Sequence, residues 1–276
     1  MALPLPTLDH VVVNARDDMD AAEARYRRLG FTLTPRGYHT LGSINHLAVF
    51  GTDYLELIGT PGGEGRADIL GWPQGLNGVV WGTEDSAALA AALAGAGVEC
   101  SAPAQFSRPV ELPGGARDAT FRTVRLPPDA TPAGRLYFCH HLTRDLVWRD
   151  EWRRHANGTL GVIAAVVASD APYRLGALFR RMFGDEAVQP GEAGLRLAMG
   201  LSSLEVTSAA ALATRFGNAA SADSRPEYMA ALVLRTASLA QAARALEEGS
   251  VPFTRDANRV LVAASDALGV ALEFRA

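Results

Sequence analysis

Cysteine is scarce in this chain: only Cys100 and Cys139 occur among 276 residues. Two thiols are too few for a disulfide framework, and without a C-x-x-C spacing they offer no structural zinc site. A reducing cytoplasm is the expected compartment. Long apolar runs are missing too; the longest, such as Val162–Ala168, are strand-sized and far short of a membrane span. The opening Met-Ala-Leu-Pro-Leu-Pro has no basic n-region, so no signal peptide is expected. A formal charge of -4, with arginines scattered along the chain, gives no basic footprint for nucleic acid. Catalytic signatures are absent as well: no Gly-rich phosphate loop, no G-x-S-x-G elbow, no H-E-x-x-H. Dehydrogenase, kinase, serine hydrolase and zincin readings therefore have no motif behind them.

What is present is a pattern that returns four times. Leu8-Asp9-His10-Val11-Val12-Val13 is a β-rich run. Asp17–Gly30 then reads as a helix, because Met19, Ala22, Tyr26 and Leu29 recur at helical spacing and Gly30 is placed to end it. Short strands follow at Phe31–Thr34, Ile44–Phe50 and Tyr54–Ile58, the last two joined through Gly51-Thr52-Asp53. The order is β-α-β-β-β. It returns from Leu76, with a helix over Ser86–Ala96 and strands near Glu99–Ala104, Thr120–Arg125 and Arg135–His141. It returns again from Leu160, with a helix over Tyr173–Phe183, and from Tyr228, with a helix over Leu239–Glu248. Missing such a repeat would miscall the fold.

The fold class expected is thus α+β, four βαβββ modules spanning 8–60, 75–142, 159–208 and 227–276. Thr60–Gln74 and Gly217–Pro226 read as links within pairs, and Thr143–Gly158 as the boundary between two domains, 1–148 and 149–276. A lone module leaves a bare sheet face, so modules should pair around a curved cavity.

Leu8-Asp9-His10-Val11-Val12-Val13, Leu29-Gly30-Phe31, Ser43-Ile44-Asn45-His46-Leu47 and Gly51–Gly59 resemble a glyoxalase-like domain of the vicinal oxygen chelate superfamily. That resemblance implies paired glyoxalase/bleomycin-resistance/dioxygenase-like domains, with a divalent metal held by the first and last strands of paired modules. Carried onto this chain, the implied metal ligands are His10, Glu56 and His140, with His141 as the fallback. Gly78 stands where a fourth ligand is expected. Two imidazoles and one carboxylate suit Fe, Mn, Ni, Co or Zn and leave open positions. Glu56 and His46 are the candidate catalytic groups for proton movement. In the second domain the matching positions are Val162, the neighbourhood of Met229, Glu205 and Glu273. That set lacks imidazole, and a metal-free, degenerate second domain is expected.

The resemblance implies a metal-dependent lyase or isomerase of glyoxalase type acting on a small oxygen-rich molecule. Its alternatives are a metal-free protein that sequesters a small ligand, and a ring-cleaving dioxygenase. The partner expected is a small molecule, with no nucleic acid and no membrane; a homodimer is compatible with it. Bland readings stand beside these. His10 can be an ordinary strand histidine, and Glu56 can be balanced by an arginine as well as by a metal. His46 can be a polar sheet-face residue, and His39 and His155 fall in loops where solvation is expected. Arg108, Arg117, Arg122 and Arg125 either clamp an anion or line a solvated strand face.

Overall fold

The computed structural model describes residues 2–63, 65–191, 193–220 and 223–276. The first half runs β1 (Leu8–Arg16), α1 (Met19–Arg28), β2 (Gly37–Tyr38), β3 (Ile44–Val49), β4 (Tyr54–Gly59), α2 (Ala67–Leu70), β5 (Gly75–Gly82), α3 (Ser86–Gly95), β6 (Ala104–Val110), β7 (Arg117–Arg125) and β8 (Arg135–His141). The second runs β9 (Thr159–Ser169), α4 (Pro172–Phe183), β10 (Val188–Gly191), β11 (Gly194–Met199), β12 (Ser202–Thr207), α5 (Ala209–Phe216), β13 (Glu227–Thr236), α6 (Leu239–Glu248), β14 (Thr254–Arg255), β15 (Val260–Val262) and β16 (Ala271–Arg275).

Two eight-stranded sheets result, ordered β2-β3-β4-β1-β5-β8-β7-β6 and β10-β11-β12-β9-β13-β16-β15-β14. At the centre of each, the first strands of two modules run antiparallel, β1 against β5 and β9 against β13. Each first strand also pairs in parallel with the last strand of its own module. The chain is therefore α+β, with two domains built alike.

Local chemistry sets the helices. Asp18, Asp85 and Ser238 cap α1, α3 and α6 by accepting from backbone amides of the first turn. Gly30, at φ 85°, turns the chain away after α1. One face of each of α1, α4 and α6 is buried, and their side chains join those of both sheets in one large core that unites the domains. Leu93 of α3 enters the same core.

Three local readings need correction. Phe31–Thr34 is irregular rather than a strand: Pro35 follows, and the Thr34 hydroxyl accepts from the Leu47 amide. The strand expected near Glu99–Ala104 begins only at Ala104. The third is α5, a helix between the last two modules just ahead of the expected link.

The two sheets differ in what fills their concave faces. In the first, the outer strands meet: the Thr40 amide donates to the Ser107 carbonyl at 2.9 Å and the Thr40 hydroxyl accepts from the Ser107 amide. The sheet closes on itself around a small hollow. In the second, α5 lies in the opening and buries Leu212 and Phe216 against Ala164, Val166, Tyr228, Val233 and Leu261. Among the described residues no helix is long and apolar enough to cross a membrane.

Candidate functional site

The hollow of the first sheet begins at an irregularity in β1. Leu8 pairs with Trp81 and His10 with Val80, so Asp9 is an extra residue, a β-bulge. Strand neighbours ordinarily point to opposite faces. The bulge instead lets Asp9 Oδ1 reach His10 Nδ1 at 2.6 Å and His141 Nε2 at 2.9 Å. All three groups are buried. Burial alone would raise the Asp9 pKa, but His141 and His10 override it and hold this carboxyl well below the usual range. Asp9 is thus an anion between two imidazoles, and it fixes His10 with Nε2 turned into the hollow.

Around that nitrogen stand Glu56 and Tyr137. Glu56 Oε2 is 3.7 Å from His10 Nε2, and the Tyr137 hydroxyl is 3.3 Å away. Asn45 Nδ2 donates to the other Glu56 oxygen at 2.7 Å. The Tyr54 ring stacks on His10 with centroids 4.4 Å apart, which locks the imidazole plane. Burial, reinforced by Glu56, pushes the Tyr137 phenol up, so it remains a neutral O–H donor.

His39 completes this side. Its Nδ1 bonds the Ser43 hydroxyl and its Nε2 lies 3.4 Å from Asn45 Nδ2. Burial lowers its pKa to about 4, with Arg108, Arg66 and His10 acting in the same direction against Glu56. It is a neutral imidazole at pH 7. The expectation that His39 and His155 are solvated is overturned, since both are buried. His155 serves the fold, accepting from Thr32 N and donating to the Val49 carbonyl from Nε2.

The opposite wall is cationic. Arg66, Arg108, Arg125 and Arg135 line the hollow together with Phe106 and Phe121. Asp68 binds Arg66 through both oxygens and also takes Arg125 at 2.9 Å. Arg135 Nε donates to Asn77 Oδ1 at 2.6 Å. Asn77 is itself the extra residue of a bulge in β5, since Val12 pairs with Gly78 and Val13 with Leu76. The two modules therefore use the same device: Asp9 orients His10, and Asn77 orients Arg135. Arg135 Nη2 is left without a partner, and Arg108 lacks one along a whole edge. Arg108 is only 3% exposed, yet its Nε and Nη2 have no hydrogen-bond partner.

The structure gathers two of the three expected metal ligands, His10 and Glu56. His140 is a correction. Tyr137, Cys139 and His141 share the inner face of β8, while Leu136 and Phe138 belong to the outer core and His140 shares their face. Register gives the reason: Val12 pairs with Glu56 in the first module as Val80 pairs with Tyr137 in the second. Tyr137, three residues earlier, is the counterpart of Glu56. At the fourth position Gly78 is packed tightly; a Cβ there would stand 2.9 Å from that of Val12.

His46 is a second correction. It lies on the outer face of β3, with Nδ1 on the Thr34 carbonyl and Nε2 beside Glu23 at 3.0 Å. Asn45, its neighbour, faces inward. Of the four candidate clamp arginines, Arg108 and Arg125 line the hollow, whereas Arg117 and Arg122 are exposed. In the second sheet Arg215 of α5 bridges Glu205, at 2.7 Å, and Glu273, at 3.2 Å. The two carboxylates there are met by an arginine from within the chain.

Among the described residues, Asp9, His10 and His141 form a cluster whose potential ligand atoms lie within 4.8 Å of one another. Its donors, two imidazoles and a carboxylate, are those a divalent transition metal prefers. Arg144 stands 3.9 Å from Asp9 Oδ2 and stacks on Trp148, adding positive charge on that side.

Residues 8–183 match a family model described as a glyoxalase-like domain. No curated protein sequence matches. Among solved structures, a hypothetical protein from Staphylococcus aureus aligns over 98% of this chain and 99% of its own, with TM-score 0.66 and 11% identity. A mutant of 4-hydroxymandelate synthase from Streptomyces coelicolor aligns over 99% of this chain and 92% of its own, with TM-score 0.58 and 14% identity. A fusion of a xylose isomerase-like TIM barrel with 4-hydroxyphenylpyruvate dioxygenase is covered over 49% of its length, with TM-score 0.58 and 14% identity. At these identities the likeness is one of fold.

Proposed function

Because this chain belongs to the glyoxalase-like domain family of the vicinal oxygen chelate superfamily, we propose that it is an enzyme moving a proton on a small oxygen-rich molecule. In this reading residues 1–148 carry the reaction and residues 149–276 support them. One observation carries it: Asp9 holds His10 so that Nε2 is presented beside Glu56 and Tyr137.

In this reading His10 Nε2 removes a proton from a carbon next to a carbonyl group. The C–H pair moves onto the carbonyl oxygen as an enolate, and the neutral Tyr137 hydroxyl donates to that oxygen. Glu56, steadied by Asn45, stabilises the imidazolium that forms. Return of the proton from His10 to a neighbouring atom of the enolate isomerises the substrate, and loss of a neighbouring leaving group makes the reaction a lyase.

The test is solvent-deuterium incorporation, followed by NMR, across a panel of small oxo and hydroxy acids. Exchange at one substrate, reduced about 100-fold or more in His10→Gln, supports the reading. Exchange unaffected by that substitution, or none across the panel, opposes it.

A metal-dependent version has the Asp9, His10 and His141 cluster in its favour. These residues would hold the ion, and its Lewis acidity would polarise a substrate oxygen. Elemental analysis of protein purified without chelator or affinity tag decides: stoichiometric Fe, Mn, Ni, Co or Zn, lost in His141→Ala, supports it. Absence of metal together with tight binding of an apolar ligand supports sequestration instead.

A further inference from the structure

We infer that the hollow takes a small monocarboxylate, whose two oxygens dock on the Nε–Nη2 edge of Arg108. This names the substrate class for the site proposed above and rests on that reading. Nε and Nη2 form a single edge of the guanidinium, with parallel N–H bonds spaced to match the two oxygens of a carboxylate. On Arg108 both atoms are buried and unpartnered. Its residue is 3% exposed, and burial depresses the guanidinium pKa. Leaving a charged donor buried and unpaired is unfavourable. A fold does not gain from such a group unless something else completes it.

The other cations in the hollow are already engaged. Arg66 and Arg125 hold Asp68; Arg135 uses Nε on Asn77 and keeps only the single donor Nη2 unpaired, so Arg108 alone offers a whole edge. One unmatched guanidinium edge corresponds to one monoanion rather than a dianion. The hollow's free volume is about 40 Å³, against the ~10–15 Å³ that one water needs on the same measure, which favours a two-oxygen head on a short carbon stub. Gly37 secures the slot. A Cβ there would stand 2.8 Å from Arg108 Cδ and 2.4 Å from Asn45 Oδ1, so the strand keeps glycine where the arginine stem passes.

Binding of acetate, glyoxylate and pyruvate is measured by calorimetry on the full chain, with methyl pyruvate and inorganic phosphate as controls. The expected result is saturable binding of at least one monocarboxylate, at least 10-fold weaker in Arg108→Met, Arg108→Lys and Gly37→Ala. Lysine keeps the charge without the edge, so its failure to rescue is diagnostic. Without ligand, Arg108→Met should melt higher than the native chain, because it removes an unpaired buried charge. No carboxylate binding, equal binding by Arg108→Met, or equal or tighter binding of phosphate or methyl pyruvate overturns the inference. His10→Gln separates it from the proposed reaction: carboxylate binding persists there while proton exchange is lost.

Discussion

Asp9 and His10 are adjacent in the chain, yet their side chains meet on one side of the sheet, Oδ1 to Nδ1 at 2.6 Å. Only the bulge at Asp9 permits this, because a regular strand would send them to opposite faces. The carboxylate sits behind the imidazole and sets its tautomer, and the free nitrogen points into the hollow.

Asp9→Asn keeps the shape but removes the charge and permits the wrong tautomer. The turnover number should fall by about 100-fold or more, with the fold retained by circular dichroism. A variant as active as the native chain would show that Asp9 is only a packing residue.

His140 and His141 should behave oppositely. His141→Ala removes one of two imidazoles that stabilise Asp9, so activity should fall at least 10-fold. His140→Ala, on the outer face, should leave kcat/KM within about 2-fold, in line with a substitution away from the site. Equal loss in both would contradict the register found for β8.

Asp53 gives a pH dependence of stability. Its Oδ1 accepts from the Val162 amide where the two domains meet, and burial raises its pKa from 3.8 to about 7 against that bond. Between those values the folded chain retains a proton that the unfolded chain has released. Stability from this group is therefore greatest at acid pH and is lost as pH rises towards 7. Asp53→Asn should flatten that slope and melt higher than the native chain at pH 8, read by thermal denaturation. A native melting temperature that rises through the same window in step with the variant's would oppose the assignment.

In the second sheet Glu273 is fully buried and is met by Arg215, Arg259 and Arg275. Arg215→Met removes the only one of these that also binds Glu205. A loss of about 1–3 kcal/mol in chemical denaturation is expected, with substrate exchange in the first domain unchanged. Unchanged stability would mean that α5 is held by Leu212 and Phe216 alone.

The four-module order was legible because it rests on hydrophobic period and on glycines that end helices, both local signals. The family resemblance placed His10 on the first strand and Glu56 on the last, and the structure brings the two side chains to 3.7 Å. His140 was misplaced because a strand face inverts with each residue, and the register of β8 is set by β5, more than fifty residues earlier. His46 is a candidate for its acid–base chemistry, although facing in or out depends on β3 pairing with β4. Asp9, Asn77 and His39 were beyond local reading. The first two act through bulges, which no hydrophobic pattern marks, and His39 sits beside a two-residue strand that becomes buried only when β2 meets β6. Arg108 was visible as one of four arginines, but its isolation from any partner exists only in three dimensions.

The most direct test of the account is ¹⁵N NMR of the His10 ring at pH 7, assigned by comparison with His10→Gln. The account predicts a proton on Nδ1, shifted strongly downfield by its bond to Asp9, and that signal lost in Asp9→Asn. A proton residing on Nε2 would leave no acceptor facing the hollow and would contradict it.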